Sequence, residues 1–255
     1  MIERAERQPL LVGATGIDGA GKSTSLRLAA QQLSETFNIV AVGHPTYSII
    51  NGNKKFHYTR WTEWIDRIHE HADQTTNPRL VGIANSFKIA FMGRVIEPNL
   101  INRLRPDAVF GFRDYYLDPF AYSALYAGAF SKLNVDQQYN LLQYVTQQPY
   151  RNILVYLTLH PYTAVKRIDD RITIERTTGQ SQVDKKTKWP HMHENIEGLT
   201  MLDSRFKVLV EDFRDRAPDV QILQIDTQNN SRDQVVNNIV HVVRNSLDCW
   251  HCSDE

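Results

Sequence analysis

The stretch Ala14–Leu28, ATGIDGAGKSTSLRL, follows directly on the apolar residues Leu10–Val12 and decides how the chain is read. Within the nine positions Gly16–Thr24 stand three glycines, one lysine and two hydroxyl residues. An ordinary strand-to-helix turn accounts for the glycines but not for Lys22, Ser23 and Thr24 in register behind them. From Gly16 to Ser23 the spacing is G-x-x-x-x-G-K-[ST], in which glycines with positive φ let backbone amides close on a phosphate. Those amides and the positive end of the following helix make an anion nest. The candidate triphosphate-binding set is therefore Gly16, Asp18, Gly19, Ala20, Gly21, Lys22, Ser23 and Thr24. Lys22 is expected to set its charge against the β- and γ-phosphates, Ser23 to ligate Mg²⁺, and Thr24 to hydrogen-bond a neighbouring phosphate. ATP with Mg²⁺ is the expected pair of cofactors.

Outward from this stretch the chain alternates strands and helices. Apolar runs in PLLVGAT, NIVAVGHP, PDAVFGF, NILVYLTL and DVQILQIDT read as five strands. Amphipathic segments between them read as helices, including HYTRWTEWIDRIHEHA, a short helix in PYTAVKRIDDRI, and a long stretch from Pro78 that is bent or broken near Pro98. Strands separated by helices imply a parallel sheet with right-handed crossovers. The expected fold is α/β: a three-layer P-loop NTPase fold, with a five-stranded parallel sheet flanked by helices, in one domain spanning residues 1–255. Residues 177–193, TTGQSQVDKKTKWPHMH, are polar and aperiodic. They read as a mobile flap, with the lid at about residues 170–192. His191 and His193 read as its boundary with the next helix, with Glu194 in that helix's first turn.

Twenty-nine basic residues balance twenty-nine acidic ones, so no global field favours nucleic acid or a membrane surface as partner. No run reaches the roughly 20 apolar residues of a membrane span. The charged start MIERAERQ does not read as a signal peptide. The two cysteines, Cys249 and Cys252, exclude a disulfide scaffold and favour a cytoplasmic setting. No Asn-Lys-x-Asp guanine signature occurs. Small-molecule nucleotides are the expected partners, and a basic flap suits a kinase that closes over two ligands to exclude water.

Four segments resemble the thymidylate kinases, within the P-loop nucleoside and nucleoside-monophosphate kinases, and together they span most of the chain. GIDGAGKST resembles that family's phosphate loop, in which an acidic residue, here Asp18, also reaches the acceptor sugar. SFKIAFMGRVIEPNL resembles a stretch that puts Lys88 where the family has an arginine gripping the acceptor phosphate. RDYYLDPFAYSALY resembles an Asp-Arg-Tyr segment: Tyr115, Ala121 and Tyr122 match, but Arg113-Asp114 inverts the acid–base pair. PYTAVKRIDDRI resembles the opening of an arginine-bearing lid, matched by Arg167 and Arg171 with Arg176 following.

The resemblance implies transfer of the γ-phosphoryl group of ATP to a nucleoside monophosphate, with dTMP giving dTDP, in a homodimer built through helices flanking the sheet. Lys22, Arg171 or Arg176, and Mg²⁺ would neutralise the transferred group. Arg113, Lys88, Asp18, Tyr115 and Tyr122 would hold the acceptor, and Asp114 would order the metal beside Ser23. Asp118 reads as a helix cap. The thymine-stacking aromatic of the family falls at Ala84, leaving Phe87, Trp61 or Trp64 for that role. Two alternatives stay open: a deoxynucleoside kinase using Asp114 or Asp18 as base, and a non-catalytic ATP-binding regulator.

Overall fold

A computed structural model describes residues 8–43, 46–49, 54–57, 64, 67–68, 71–72, 74–75, 77–123, 125–126, 132–146, 150–178 and 193–252. Strand β1 (Leu10–Thr15) runs through the middle of a sheet whose spatial order is β4-β3-β2-β5-β1-β6-β7. The parallel part comprises β2 (Ile39–Val42), β5 (Ala108–Gly111), β1, β6 (Ile153–Thr158) and β7 (Gln221–Asp226). These are the five strands expected from the apolar runs. Every residue of β1, β2 and β5 is buried, so both faces of the sheet centre are covered, as parallel strands require.

Two strands beyond those five were not expected. β3 (Thr46–Ile49) and β4 (Lys54–His57) pair antiparallel with each other, and β3 pairs antiparallel with β2, extending the sheet to seven strands. The segment expected to open a helix at His57 begins instead in β4.

The helices are α1 (Lys22–Leu33), α2 (Pro78–Phe91), α3 (Glu97–Leu104), α4 (Leu117–Ser123), α5 (Val135–Thr146), α6 (Pro161–Thr177), α7 (Ile196–Arg216) and α8 (Arg232–Cys252). α1 packs along α8, while α4 and α6 pack on α7. The bend expected near Pro98 is a π-helical turn, Met92–Ile96, joining α2 to α3, with Pro98 in the first turn of α3, where its missing N–H goes unused. A Cβ on Gly93 in that turn would lie 2.8 Å from the Cβ of Thr146, so glycine there admits α5. α6 continues well past the short helix read from sequence, so residues 170–177 of the expected lid are helical; residues 179–192 lie outside the described ones. Among the described residues, no helix is long and apolar enough to cross a membrane.

One ion pair sits inside this core. Arg151 bonds both carboxylate oxygens of the fully buried Glu97, its second nitrogen at 3.1 Å. The Arg151 side chain lies over the sheet where β1 and β5 carry Gly13 and Gly111; a Cβ at either would approach it to 2.8 Å. Its guanidinium stacks 4.6 Å from the Tyr115 ring. Removing one partner of a buried pair strands the other charge, at roughly 3–5 kcal/mol. Chemical denaturation of Glu97→Gln is expected to show a loss of about 3 kcal/mol, most of it recovered when Glu97→Leu is combined with Arg151→Met.

Candidate functional site

The site forms where β1 and β5 end side by side. Gly13 pairs with Gly111, so Arg113, two residues past β5, comes abreast of the end of β1 at Thr15. From Thr15 the chain turns through Gly16, Gly19 and Gly21, with φ of 128°, 83° and 91°. These values favour glycine, and two positions are also crowded: a Cβ on Gly16 would lie 2.3 Å from the Leu157 carbonyl oxygen, and one on Gly19 2.9 Å from that of Ala164. The turn is thus pressed against the end of β6 and the start of α6. Gly21 caps α1 without a side-chain hydrogen bond. The first amides of α1 have no intrahelical partner, and the positive end of the helix opens beside the turn. Ser23 and Thr24 are exposed on that first turn.

Lys22 is buried. Its Nζ donates to the carbonyls of Gly16 at 2.5 Å and Ile17 at 2.9 Å, and lies 3.7 Å from Asp18. Asp18 collects further donors: Arg113 at 3.0 Å, the Tyr122 hydroxyl at 2.5 Å, and His193 Nε2 at 3.3 Å. Burial alone would raise its pKa, but Arg113, Lys22 and His193 hold the carboxyl well below the usual range. Burial and Arg113 pull Lys22 down against the support of Asp18 and Asp118.

The two acids after β5 sit contrary to expectation. Asp114 turns inward and accepts from the amides of Tyr116 at 2.8 Å and Leu117 at 2.6 Å, fastening the start of α4. Asp118, read from sequence as the cap, instead faces the turn: it accepts from Thr15 Oγ1 at 2.7 Å and Arg113 at 3.1 Å. Burial raises the Asp118 carboxyl, opposed by Arg113 and Lys22. The two carboxyls of the group are thus shifted in opposite directions, Asp18 down and Asp118 up. Arg113 gives three of its five N–H donors to Asp18, Asp118 and Tyr122, leaving two.

The other expected residues divide. Tyr122 belongs to the group, and its ring lies 5.5 Å from the Arg113 guanidinium. Tyr115 lies elsewhere, against Arg151. Lys88 is half-buried on α2, which packs against α4, and none of the bonds above includes it. Arg171 joins through Glu194 at 3.2 Å, whereas Arg167 donates to the Thr227 carbonyl at 2.7 Å and ties α6 to the end of β7. The Arg176 side chain lies outside the described residues, as do Trp61 and His191. Ala84 is buried, while Phe87 and Trp64 are exposed, their rings edge to face at 6.2 Å.

His193 and Glu194 were not read as site residues. Asn195, not Glu194, opens the helix: its side chain accepts from Gly198 N at 2.8 Å, so Glu194 precedes α7 and turns toward Arg171. The His-Glu dipeptide directly before an asparagine cap was the available signal.

No protein-family model matches the chain, and no curated protein matches it in sequence.

Burial pushes the Asp114 carboxyl up to about 6, against the two amides that it accepts from. The folded state therefore holds this proton more tightly than the unfolded chain. The stability it lends is full below the unfolded value and is lost as pH rises through about 6. Asparagine keeps the accepting oxygen without the titration. Urea denaturation is expected to show Asp114→Asn gaining on the parent protein by about 3 kcal/mol between about pH 4 and pH 7. A gap independent of pH would contradict the assignment.

Proposed function

We propose that this chain is an ATP-dependent nucleoside-monophosphate kinase, with dTMP as its acceptor and dTDP as its product. One observation carries the reading: Asp18, a residue of the glycine-rich turn, is bonded at once to Lys22 and to Arg113. A cation suited to the donor's phosphates and a cation suited to the acceptor are therefore brought together at one carboxylate oxygen, 3.7 and 3.0 Å from it. In-line phosphoryl transfer needs two anions end to end with their repulsion neutralised, and this arrangement supplies the charges.

The turn and the start of α1 would seat the triphosphate, with Lys22 leaving the Gly16 and Ile17 carbonyls to meet the β- and γ-phosphates. The exposed Ser23 hydroxyl and the Asp118 carboxyl would hold Mg²⁺. When bound, the ion would supply positive charge that offsets that of the phosphates. Asp118 replaces Asp114 in this role because Asp114 is committed to the amides of α4. The two remaining N–H groups of Arg113, with Lys88, would take the acceptor phosphate, and Asp18 with Tyr122 its sugar. Arg171 and Arg176 would meet the transferred group from the lid side.

A monophosphate suits the site better than a nucleoside hydroxyl. A hydroxyl acceptor requires a free base, whereas Asp18 already accepts from Arg113 and Tyr122, and Asp118 from Thr15 and Arg113. A phosphate is already ionised and asks only for positioning and charge.

A coupled ADP-release assay over deoxynucleoside monophosphates and free nucleosides tests this directly. Turnover is expected with dTMP and not with thymidine; the reverse would transfer the protein to the nucleoside kinases, and ATP binding without turnover would make it a regulator. Within that assay, Lys22→Ala is expected to abolish ATP binding. Lys88→Ala should raise the KM for dTMP about tenfold and leave that for ATP unchanged. Asp118→Asn is expected to lower kcat about 100-fold, against less than about threefold for Asp114→Asn.

A further inference from the structure

Asp18, His193 and Glu194 are all buried, and each offers one ligand atom within 4.8 Å of the other two. Two features set this group apart from an ordinary ion-pair cluster. Glu194 is only 4% exposed, one of its carboxylate oxygens is held by Arg171, and the other, Oε2, is buried with no hydrogen-bond partner. An orphaned carboxylate oxygen is costly in a protein interior and points to a missing positive partner. The second feature is the separation of 3.3 Å between Asp18 Oδ2 and His193 Nε2. That is long for a charge-assisted hydrogen bond. It matches the edge, about 3.0–3.4 Å, between two ligands held at about 2.1 Å around one ion.

The surroundings are those of a metal-ligating histidine. The other ring nitrogen, Nδ1, lies 2.6 Å from the Tyr126 hydroxyl. Such a bond fixes the ring: an ion would displace the proton that Nε2 offers Asp18, and with Nδ1 then donating to Tyr126 the Nε2 lone pair would face the ion. Asp18 is itself held by Arg113 and Tyr122, so all three side chains are oriented by neighbours.

We propose that Asp18, His193 and Glu194 form a binding site for a first-row transition-metal dication, Zn²⁺ being the ion that suits the donor set best. One imidazole nitrogen with two carboxylate oxygens is a poor set for Mg²⁺, which favours oxygen alone, and places Zn²⁺ high among the dications available to such ligands. Three protein ligands leave a position open for water. The site shares Asp18 with the acceptor side of the proposed kinase and is separate from Ser23 and Asp118; its metal binding is measured without nucleotide and so stands or falls apart from the phosphoryl-transfer reading. Its effect is to staple the glycine-rich turn, through Asp18, to the residues that open α7.

Zn²⁺ alone, without nucleotide, is titrated calorimetrically into full-length protein stripped of metal and carrying Cys249→Ser and Cys252→Ser, which removes the thiols beside His251. One ion per chain is expected, and Co²⁺ in its place should show ligand-field absorption with no thiolate charge-transfer band. Glu194→Gln and His193→Gln should each weaken binding by at least about tenfold. Tyr126→Phe, which touches no ion, should weaken it by a comparable factor. Circular dichroism establishes that each variant is folded, and Glu194→Gln is nearly isosteric. Absence of Zn²⁺ binding would overturn the proposal and leave a bridging water between Glu194 Oε2 and Arg171 Nε, which is likewise unpartnered. Binding that survives both ligand substitutions, or that vanishes with the cysteines, would overturn it equally.

Discussion

A single buried carboxylate holds this molecule's working parts together. Asp18 lies in a glycine-rich turn; it accepts from an arginine after β5 and a tyrosine of α4, and a lysine of the next helix and a histidine before α7 lie within 3.7 Å of it. Three regions distant in sequence, the turn with α1, the end of β5 with α4, and the residues before α7, thereby converge on one carboxylate. A lone carboxylate at such depth would be strongly disfavoured, and its neighbours reverse that penalty and keep it ionised. The same bonds arrange the cations. Lys22 and Arg113 both approach its Oδ1, at 3.7 and 3.0 Å, so two positive charges are gathered at one acid.

The inverted Arg113-Asp114 pair follows from the same geometry. An arginine at 113 can reach Asp18 and Asp118 together, and the acid that follows it is then free to serve α4. Asp114 accepts two amides at the start of that helix, and Asp118, within the same helix, returns a carboxylate to the turn through Thr15. An acidic group thus faces the turn from Asp118, four residues after the acid that fastens the start of α4.

Much of this was legible in the sequence because local geometry restricts it. The glycine-rich turn is contiguous, and each of its glycines answers to a positive φ or a near backbone, so spacing alone reveals it. Strands β1, β2, β5 and β6 were legible because burial on both faces leaves unbroken apolar runs, and the more exposed edge strand β7 from its Ile222, Leu223 and Ile225. The β3–β4 pair carries no such run, although Asn51-Gly52 between its strands is a hairpin signal that the helical reading of the following segment outweighed. Asp118 carried no sequence signal for the site, and His193-Glu194 only a weak one, the dipeptide before the Asn195 cap. Which side of α4 faces the turn, and what lies opposite the start of α7, are settled by packing between elements and not by spacing within one. Tyr115 shows the converse: its place in a familiar pattern promised a ligand contact, and the core pair Glu97–Arg151 took it instead.

The central claim is that two anions meet end to end across Asp18. Calorimetric titration with a bisubstrate ligand, in which adenosine and thymidine share one polyphosphate chain, tests it most directly. The account predicts one ligand per site, bound at least about tenfold more tightly than ATP or dTMP alone, because one molecule would occupy both cationic sides at once. Affinity no greater than that of ATP would mean that no second anion site faces the turn, and would contradict the account.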